Sequence, residues 1–215
     1  MSVKIAPSIL SADFAELGTG VEAIATADYV HFDVMDGAFV EQITYGSPVL
    51  KCIRRATDMF LDVHLMVNDP MSQIKFFAEA GADLISFHLE SSSSAVQTLE
   101  LIRSFGVKSA LAIKPGTAAE EVYPLLSLCD MVLVMTVEPG YGGQAFIPET
   151  IEKIRQLREY AGSDLDIEVD GGINAKTAPL VKEAGANVLV AGTGLFKAED
   201  MEQANAALKT PQKGA

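Results

Sequence analysis

The residues best suited to chemistry lie in a short run, 30–37, where an imidazole and a carboxylate occupy alternate positions. Successive side chains of a β-strand point to opposite faces, so His31, Asp33 and Met35 share one face and the apolar residues at 30, 32 and 34 share the other. An imidazole nitrogen and a carboxylate oxygen side by side on a strand are potential ligands of a divalent transition metal. By itself, the pair is also compatible with a solvated, half-exposed strand.

The same alternation recurs in two later runs and strengthens the metal hypothesis. One run places Asp62 and His64 on a common face, and the other places Glu168 and Asp170 on a common face. Two imidazoles and two carboxylates can hold a divalent metal and leave positions for substrate oxygens. We therefore predict a metal site formed by His31, Asp33, His64 and Asp170.

Three further polar side chains near these positions are assigned supporting roles. Asp62 and Glu168 lie one layer deeper than the predicted ligands, so we expect them to orient ligands or to satisfy buried donors. His88 precedes Glu90 by two residues near another strand end. We predict that His88 holds a neighbouring ring by a hydrogen bond and does not bind the metal.

Short runs rich in β-branched residues alternate with longer segments of helical period along the whole chain. Eight such strand–helix units without a composition break predict a single (β/α)8 TIM-barrel domain over residues 1–215, with a flexible C-terminal tail from about 209. A doubly wound open sheet is disfavoured because no glycine fingerprint follows the first strand. Barrels carry their reactive groups at the carboxyl ends of strands, where the side chains named above fall. The strands are predicted near 5–10, 29–35, 60–67, 84–90, 109–114, 131–137, 166–171 and 187–192, and the helices near 13–25, 46–56, 70–80, 93–105, 118–127, 148–161, 175–184 and after about 198.

Composition restricts the partners and the compartment. The formal net charge of −13 disfavours nucleic acid and anionic membranes as partners, because the long-range field repels phosphate polymers. No apolar run is long enough to span a bilayer, and the first residues lack the features of a signal peptide. Cys52 and Cys129 are the only cysteines, which fits a reducing compartment. We therefore expect a soluble, unprocessed, cytoplasmic protein.

Glycine-containing turns follow the last three predicted strands. Glycine lets the main chain approach an anion and aim N–H groups at it, and the loops after the last two strands of this fold commonly bind phosphate. Three inward-facing methionines, Met35, Met66 and Met135, are either core filler or an apolar wall that excludes water from a reacting carbanion. We predict phosphate and substrate contacts from Gly140, Tyr141, Gly142, Gly143, Gly171, Gly172, Gly192 and Thr193.

Five motifs stand in order along the chain, namely residues 6–14 (APSILSADF), 31–37 (HFDVMDG), 62–67 (DVHLMV), 138–144 (EPGYGGQ) with 146–148 (FIP), and 168–173 (EVDGGI). Together they resemble the ribulose-phosphate 3-epimerase family, and the likeness runs from about residue 4 to about residue 196. The ordered combination is far more specific than any single motif.

The resemblance implies a metal-dependent isomerase of the pentose phosphate pathway, which converts D-ribulose 5-phosphate into D-xylulose 5-phosphate at C3. In that family the residues matching His31, Asp33, His64 and Asp170 bind one divalent metal, usually zinc, iron, manganese or cobalt, and the two aspartates act as acid and base. Ser8 matches a substrate-contacting serine, and we expect His64 to contact the substrate too. The three methionines match an apolar cap over the reacting carbons. Family members commonly self-associate, so a homo-oligomer is expected.

The chemistry of the residues agrees with this assignment. Epimerisation next to a ketone removes a proton from one face of a carbon and returns one to the other face, so two proton-transfer groups must flank that carbon. A metal held by oxygen and nitrogen ligands stabilises the resulting enediolate. We hypothesise that Asp33 and Asp170, from opposite sides of the barrel mouth, alternate as base and acid while the metal holds O2 and O3 of the substrate.

One loop departs from the family pattern. After Gly37 the family usually continues with a bulky polar residue and ends in Val-Pro-Asn, whereas residues 38–42 of this chain read AFVEQ. Thr193 also stands where serine is usual, although it still offers a hydroxyl and a backbone N–H. The loop change leaves substrate preference open.

Three alternative functions follow. The first is a sister 3-epimerase acting on a ketohexose 6-phosphate such as D-allulose 6-phosphate. A barrel decarboxylase or aldolase is disfavoured because no predicted strand places a lysine beside an aspartate. A non-catalytic sugar-phosphate-binding relative is disfavoured because binding alone needs no proton donor on each face of the substrate.

Overall fold

The computed structural model describes residues 2–210 and shows eight parallel β-strands that alternate with helices. The strands pair in the order β1-β8-β7-β6-β5-β4-β3-β2, and a bridge between Ser8 and His31 brings the first strand beside the second. This topology confirms the predicted (β/α)8 barrel. The strands are β1 (Lys4–Pro7), β2 (Tyr29–Met35), β3 (Phe60–Met66), β4 (Leu84–His88), β5 (Lys108–Ile113), β6 (Met131–Met135), β7 (Asp166–Asp170) and β8 (Val188–Ala191).

The helices differ from the sequence prediction mainly after β5. The segment 118–127, predicted as one helix, instead forms two 3-10 helices, Ala119–Glu121 and Tyr123–Leu128. Pro124 has no backbone N–H, so it cannot make the hydrogen bond that would continue an α-helix through this segment. The α-helices are α1 (Leu17–Ala23), α2 (Ser47–Ala56), α3 (Ile74–Glu79), α4 (Ala95–Ser104), α5 (Thr150–Ala161), α6 (Ala178–Ala184), α7 (Thr193–Phe196) and α8 (Met201–Lys209).

Strand β1 is shorter than predicted because the chain turns directly after it. Residues Ile9–Ser11 form a 3-10 helix, and the hydroxyl of Ser8 accepts a hydrogen bond from the Leu10 N–H at 3.3 Å. This cap replaces the strand ladder that the apolar residues at 9 and 10 suggested. The early turn leaves Ser8 at the carboxyl end of the strand, facing the barrel interior.

Alternation along the strands creates two apolar layers. Outward side chains such as Phe32, Phe87 and Leu111 are fully buried against the helices. Burying a side chain of this size contributes about 1.5–3 kcal/mol to folding. Inward side chains near the amino ends of the strands, among them Tyr29 and Met131, fill the base of the barrel. Toward the carboxyl ends the inward positions change to histidine, aspartate and glutamate.

Strand register places these polar side chains next to one another. In the pairing of β2 with β3, His31 lies opposite Asp62 and Asp33 lies opposite His64. In the pairing of β6 with β7, Met135 lies opposite Asp170. The fold therefore brings residues from distant parts of the chain to one end of the barrel.

The C-terminal segment carries the last helix. Helix α8 continues to Lys209, and residues 211–215, which make up most of the tail predicted to be flexible, lie outside the described residues. Within residues 2–210, none of the helices is both long and apolar enough to cross a lipid bilayer.

Candidate active site

Four polar side chains converge on the floor of the barrel mouth. His31 and Asp33 come from β2, His64 from β3 and Asp170 from the end of β7. Each offers one ligand atom, and these atoms all lie within 4.8 Å of one another. The first three side chains are buried and Asp170 is partly exposed. The structure thus brings together the set predicted as metal ligands.

The orientation of His31 fits a cation at this cluster. Its Nδ1 lies 2.6 Å from Asp62 Oδ2, so Nδ1 carries a proton and Nε2 faces the cluster. Nε2 lies 3.3 Å from Asp33 Oδ1 and is fully buried, yet it makes no hydrogen bond in the described part of the chain. A buried nitrogen without a partner is costly unless something binds it, and a divalent metal meets that requirement.

His64 is oriented through His88, as the sequence predicted for that ring. His64 Nδ1 lies 3.2 Å from Asp33 Oδ1, and its Nε2 lies 3.0 Å from His88 Nε2. On the far side, His88 Nδ1 lies 3.1 Å from Glu90 Oε2. Burial, together with the neighbouring imidazole of His64 and the ammonium of Lys114, lowers the pKa of His88 to about 4, so this ring is neutral.

The far end of this chain of hydrogen bonds is held by Glu90. Burial acts to raise its pKa, but hydrogen bonds from His88, from Thr117 and from the Lys114 N–H outweigh burial and lower it to about 2. Ionised Glu90 accepts the Nδ1 proton of His88, so His88 Nε2 accepts from His64 Nε2–H. The free lone pair of His64 is then on Nδ1, which faces the cluster.

The two candidate catalytic carboxyl groups have different environments. Burial acts to raise the pKa of Asp33, but the imidazoles of His31 and His64 outweigh it and hold the pKa well below its usual range. Ser8 Oγ also donates a hydrogen bond to Asp33 Oδ2 at 2.6 Å. Burial raises the pKa of Asp170 to about 6, and the charge of Asp33 acts in the same direction. One carboxyl group is thus set to stay ionised while the other can carry a proton near neutral pH.

A second acidic pair lies beneath the cluster. Glu168 and Asp62 are both fully buried, and neither oxygen of Glu168 has a hydrogen-bond partner among residues 2–210. Burial and the charge of Asp62 raise the pKa of Glu168 well above its usual range, so its carboxyl group is neutral. Asp62 orients His31, as predicted, whereas Glu168 Oε1 is 3.7 Å from His31 Nδ1.

A cavity of about 250 Å³ opens above the cluster. Every residue predicted to contact substrate lines it except His64, which lies below among the four converging side chains. Met35, Met66 and Met135 are at most 4% exposed and form its apolar wall. The other predicted residues in the lining are Ser8, Gly140, Tyr141, Gly142, Gly143, Gly171, Gly172, Gly192 and Thr193.

The glycines of this lining are required by close approach of the loops. A Cβ atom on Gly172 would lie 2.8 Å from the backbone nitrogen of Phe146, and one on Gly192 would lie 2.6 Å from Ser11 Oγ. The turn after β7 is therefore packed against the loop after β6, and the turn after β8 against the loop after β1, and these turns present backbone to the cavity, as expected for an anion site.

Four polar residues of the lining were not among the predicted site residues: Ser11, Glu138, Gln144 and Asn174. They lie in loops after β1, β7 and β6, where side chains follow no period that a sequence pattern could detect. Ser11 was the most accessible to prediction, because it follows the same strand end as Ser8.

The fold and site together define a class of protein, a (β/α)8 barrel with a two-histidine, two-carboxylate cluster beneath a glycine-lined pocket. The model of the ribulose-phosphate 3 epimerase family matches residues 4–196. The chain belongs to that family, which confirms the resemblance found in its motifs and the predicted enzyme class, an isomerase.

Individual relatives agree with the family match. The chain is 48% identical to the ribulose-phosphate 3-epimerase of Rhodobacter capsulatus over 199 residues, 91% of this chain and 87% of that protein. It is 43% identical to the cytoplasmic isoform of ribulose-phosphate 3-epimerase of Oryza sativa subsp. japonica over 220 residues, 100% of this chain and 96% of that protein. The structure of 3-keto-L-gulonate-6-phosphate decarboxylase from Vibrio cholerae O1 biovar El Tor superposes with a TM-score of 0.72 and 13% identity, covering 97% of this chain and 96% of that chain. This last likeness shows a shared fold alone.

Proposed function

We propose that the chain catalyses epimerisation at C3 between D-ribulose 5-phosphate and D-xylulose 5-phosphate, as a step of the pentose phosphate pathway. Membership of the family supports this activity. The observation that carries it is the placement of Asp33 and Asp170, which reach the pocket floor from β2 and β7 with carboxylate oxygens within 4.8 Å of each other. Two such groups can serve opposite faces of one carbon.

The residues divide the chemistry between them. One of Asp33 and Asp170 takes the C3 proton and the other delivers a proton to the opposite face, and the roles exchange in the reverse reaction. Ser8, by donating to Asp33, fixes which oxygen of that carboxylate faces the substrate. His31, Asp33, His64 and Asp170 would hold one divalent metal, zinc first and iron, manganese or cobalt otherwise. When bound, this metal supplies positive charge that stabilises the enediolate.

The other pocket residues surround the carbon skeleton of the substrate and bind its phosphate. The methionine wall keeps water away from the reacting carbons, which protects a carbanion-like species from uncontrolled protonation. Backbone N–H groups of the glycine turns after β6, β7 and β8 receive the phosphate. Local N–H groups of this kind offset the acidic character of the chain, whose formal net charge is −13.

The test is exchange of the C3 proton with solvent deuterium, followed by NMR. Asp33→Asn and Asp170→Asn are each expected to abolish exchange, while Asp58→Asn, a change at an exposed aspartate, leaves it intact. Exchange that persists in both active-site variants would exclude the two-carboxylate mechanism. Metal content of each variant is measured in parallel, because both aspartates are also proposed ligands.

A 3-epimerase of a ketohexose 6-phosphate is the second candidate, because residues 38–42 depart from the family pattern. The lining of the pocket above the cluster, as far as the chain is described, does not include residues 38–42. Ala38 instead faces a neighbouring cavity with Asp36 and Ile43, and Gln42 faces another beside Tyr141. This placement favours the pentulose substrate. Comparison of kcat/KM for D-ribulose 5-phosphate and D-allulose 6-phosphate separates the two.

We also propose that the protein acts in the cytoplasm as a homo-oligomer. Two free cysteines suit a reducing compartment. Exposed apolar side chains, including Phe76 at 54% and Leu180 at 45%, offer surface for self-association. Light scattering coupled to size-exclusion chromatography gives the oligomeric state, and a monomer at micromolar concentration would contradict this part of the proposal.

A further inference from the structure

Two loops meet at the edge of the pocket. One is the departing loop, residues 38–42, and the other is the turn after β6, residues 138–144. The hydroxyl of Tyr141 donates a hydrogen bond to Glu41 Oε2 at 3.1 Å. One residue earlier in each loop, Val40 packs on Gly140 so closely that a Cβ on that glycine would lie 3.3 Å from Val40 Cβ. The loops therefore share one polar and one apolar contact.

The departing loop is held in place by hydrogen bonds and ring contacts. Asp36 Oδ1 accepts hydrogen bonds from the N–H groups of Ala38 and Phe39 at 2.8 and 2.9 Å, and Asp36 Oδ2 accepts from the Asn68 N–H at 2.8 Å. The ring of Phe39 lies 4.8 Å from the ring of His88, beneath the Lys114 ammonium at 4.0 Å. These contacts tie the loop to strand β4 and to the residues that follow β3 and β5.

The turn after β6 is braced within itself and exposed. Gln144 Nε2 donates to the carbonyl oxygens of Glu138 and Tyr141 at 2.6 and 2.9 Å, which closes residues 138–144 into a unit. The side chain of Tyr141 is 50% exposed, and Gly142 and Gly143 next to it lie beside Thr193, whose hydroxyl oxygen would be 4.0 and 3.8 Å from a Cβ atom on each glycine. A unit of this kind moves as one body unless its outer edge is held.

We propose that the hydrogen bond between Tyr141 and Glu41 is a latch that holds the 138–144 turn over the pocket and keeps its glycine N–H groups aimed at the substrate phosphate. Tyr141 and Glu41 are then positioning residues, since the Tyr141 hydroxyl is engaged by Glu41, and Glu41 is not among the described residues that line the pocket. This proposal rests on the proposed function for the identity of the anion. The hold of the hydrogen bond on the turn does not depend on the proposed function.

The latch predicts a specific kinetic pattern. Without it the turn spends more time open, so phosphate is held less well and KM for D-ribulose 5-phosphate rises, while the proton-transfer step and kcat are affected less. We expect KM to rise about two- to tenfold in Glu41→Ala and in Tyr141→Phe, the range for one exposed hydrogen bond to a charged group.

A double-mutant cycle and hydrogen–deuterium exchange test the latch together. The combined variant E41A/Y141F is expected to match either single variant, because both remove the same bond. Glu41→Gln keeps an acceptor oxygen and is expected to restore most of the wild-type KM. Tyr160→Phe is the matched control, since Tyr160 is 60% exposed and stacks on Tyr123 away from the pocket.

Hydrogen–deuterium exchange of backbone amides, measured by mass spectrometry without substrate, reports directly how often the 138–144 turn opens. Peptides covering 138–144 are expected to exchange faster in E41A and Y141F, with the rest of the barrel unchanged. Wild-type exchange and KM in both variants, or additive effects in the double variant, would overturn the latch. Failure of the unmodified chain to turn over either sugar phosphate would instead overturn the proposed function and leave the exchange result standing.

Discussion

His64 and His88 meet with their Nε2 atoms 3.0 Å apart, and both side chains are fully buried. Two ring nitrogens at this distance share one proton, and Glu90 on the far side of His88 decides which ring donates it. A carboxylate that touches neither metal ligand nor substrate therefore controls which nitrogen of His64 is free. Metal affinity should depend on residues that do not bind the metal.

The first prediction concerns this chain of hydrogen bonds. His88→Phe keeps a ring but removes the acceptor for the Nε2 proton of His64, so that proton is left buried without a partner. We expect the affinity for zinc to fall about 10–100-fold, the usual cost of losing a group that orients a metal-binding histidine. Competition with a chromophoric chelator measures the dissociation constant.

A milder change at the end of the chain serves as the control. Glu90→Gln leaves an amide oxygen that still accepts from His88 Nδ1–H, so its effect on zinc affinity should be smaller than that of His88→Phe. Equal zinc affinity in His88→Phe and in the unmodified protein would show that the ring of His64 is held by packing alone.

The second prediction follows from the neutral carboxyl group of Glu168. In the unfolded chain the Glu168 carboxyl group has its usual pKa and is ionised at pH values above it. In the folded protein burial raises the pKa, so the group keeps its proton at the same pH. The folded state then binds more protons, so Glu168 makes the protein less stable as pH rises above about 4.5, by up to about 1.4 kcal/mol per pH unit. Glu168→Gln removes this dependence.

Urea unfolding of the metal-free protein at several pH values provides the measurement. The free energy of unfolding of the unmodified protein minus that of Glu168→Gln should become more negative with rising pH, and be flat at pH values below the usual pKa of glutamate. A difference that is constant or rises with pH would mean that Glu168 is ionised in the folded state. Val169→Ala, a change to the outward face of the same strand, is the control without a pH-dependent difference.

Two regularities were enough to find the cluster of four metal-type ligands from the sequence: the alternation of side chains along strands, and the location of reactive groups at the carboxyl ends of barrel strands. Both are local or topological regularities, and the register of β2 with β3 follows once the sheet closes, so Asp33 and His64 had to meet. The contact between Glu41 and Tyr141 had no such signal, because the two residues are 100 positions apart in loops without a period. The prediction of a single helix over 118–127 was wrong for a different reason. The apolar pattern of this segment suits a helix, but Pro124 lacks the backbone N–H that an α-helix would need there.

The third prediction concerns the two thiols. Burial raises the pKa of the Cys129 thiol to about 12, with the charge of Asp130 acting in the same direction, whereas Cys52 is exposed. Only the thiolate reacts with disulfide reagents, so in the folded protein Cys52 should react and Cys129 should not. Titration with Ellman's reagent should give one fast thiol per chain and a second after denaturation. Cys52→Ser should abolish the fast reaction, and two equally fast thiols would contradict the raised pKa of the partly buried Cys129 thiol.

The fourth prediction is that zinc binding by the metal-free protein releases protons. Burial alone would lower the pKa of His31, but Asp33 and Asp62 outweigh it and raise it well above the usual range, and the pKa of Asp170 is raised to about 6. Both ligand atoms must lose a proton before they bind a metal, so zinc competes with protons at each of them. Apparent zinc affinity should therefore rise with pH through about 6 and continue to rise until His31 is deprotonated.

Calorimetry in buffers with different heats of ionisation counts these protons. Asp170→Asn, whose amide has no proton to lose at these pH values, should release fewer protons than the unmodified protein and show a weaker rise of affinity with pH. Asp58→Asn, at an exposed site, should release the same number as the unmodified protein. Zinc affinity that does not change between about pH 5 and about pH 8 would show that His31 Nε2 and Asp170 are already deprotonated, or that they do not bind the metal.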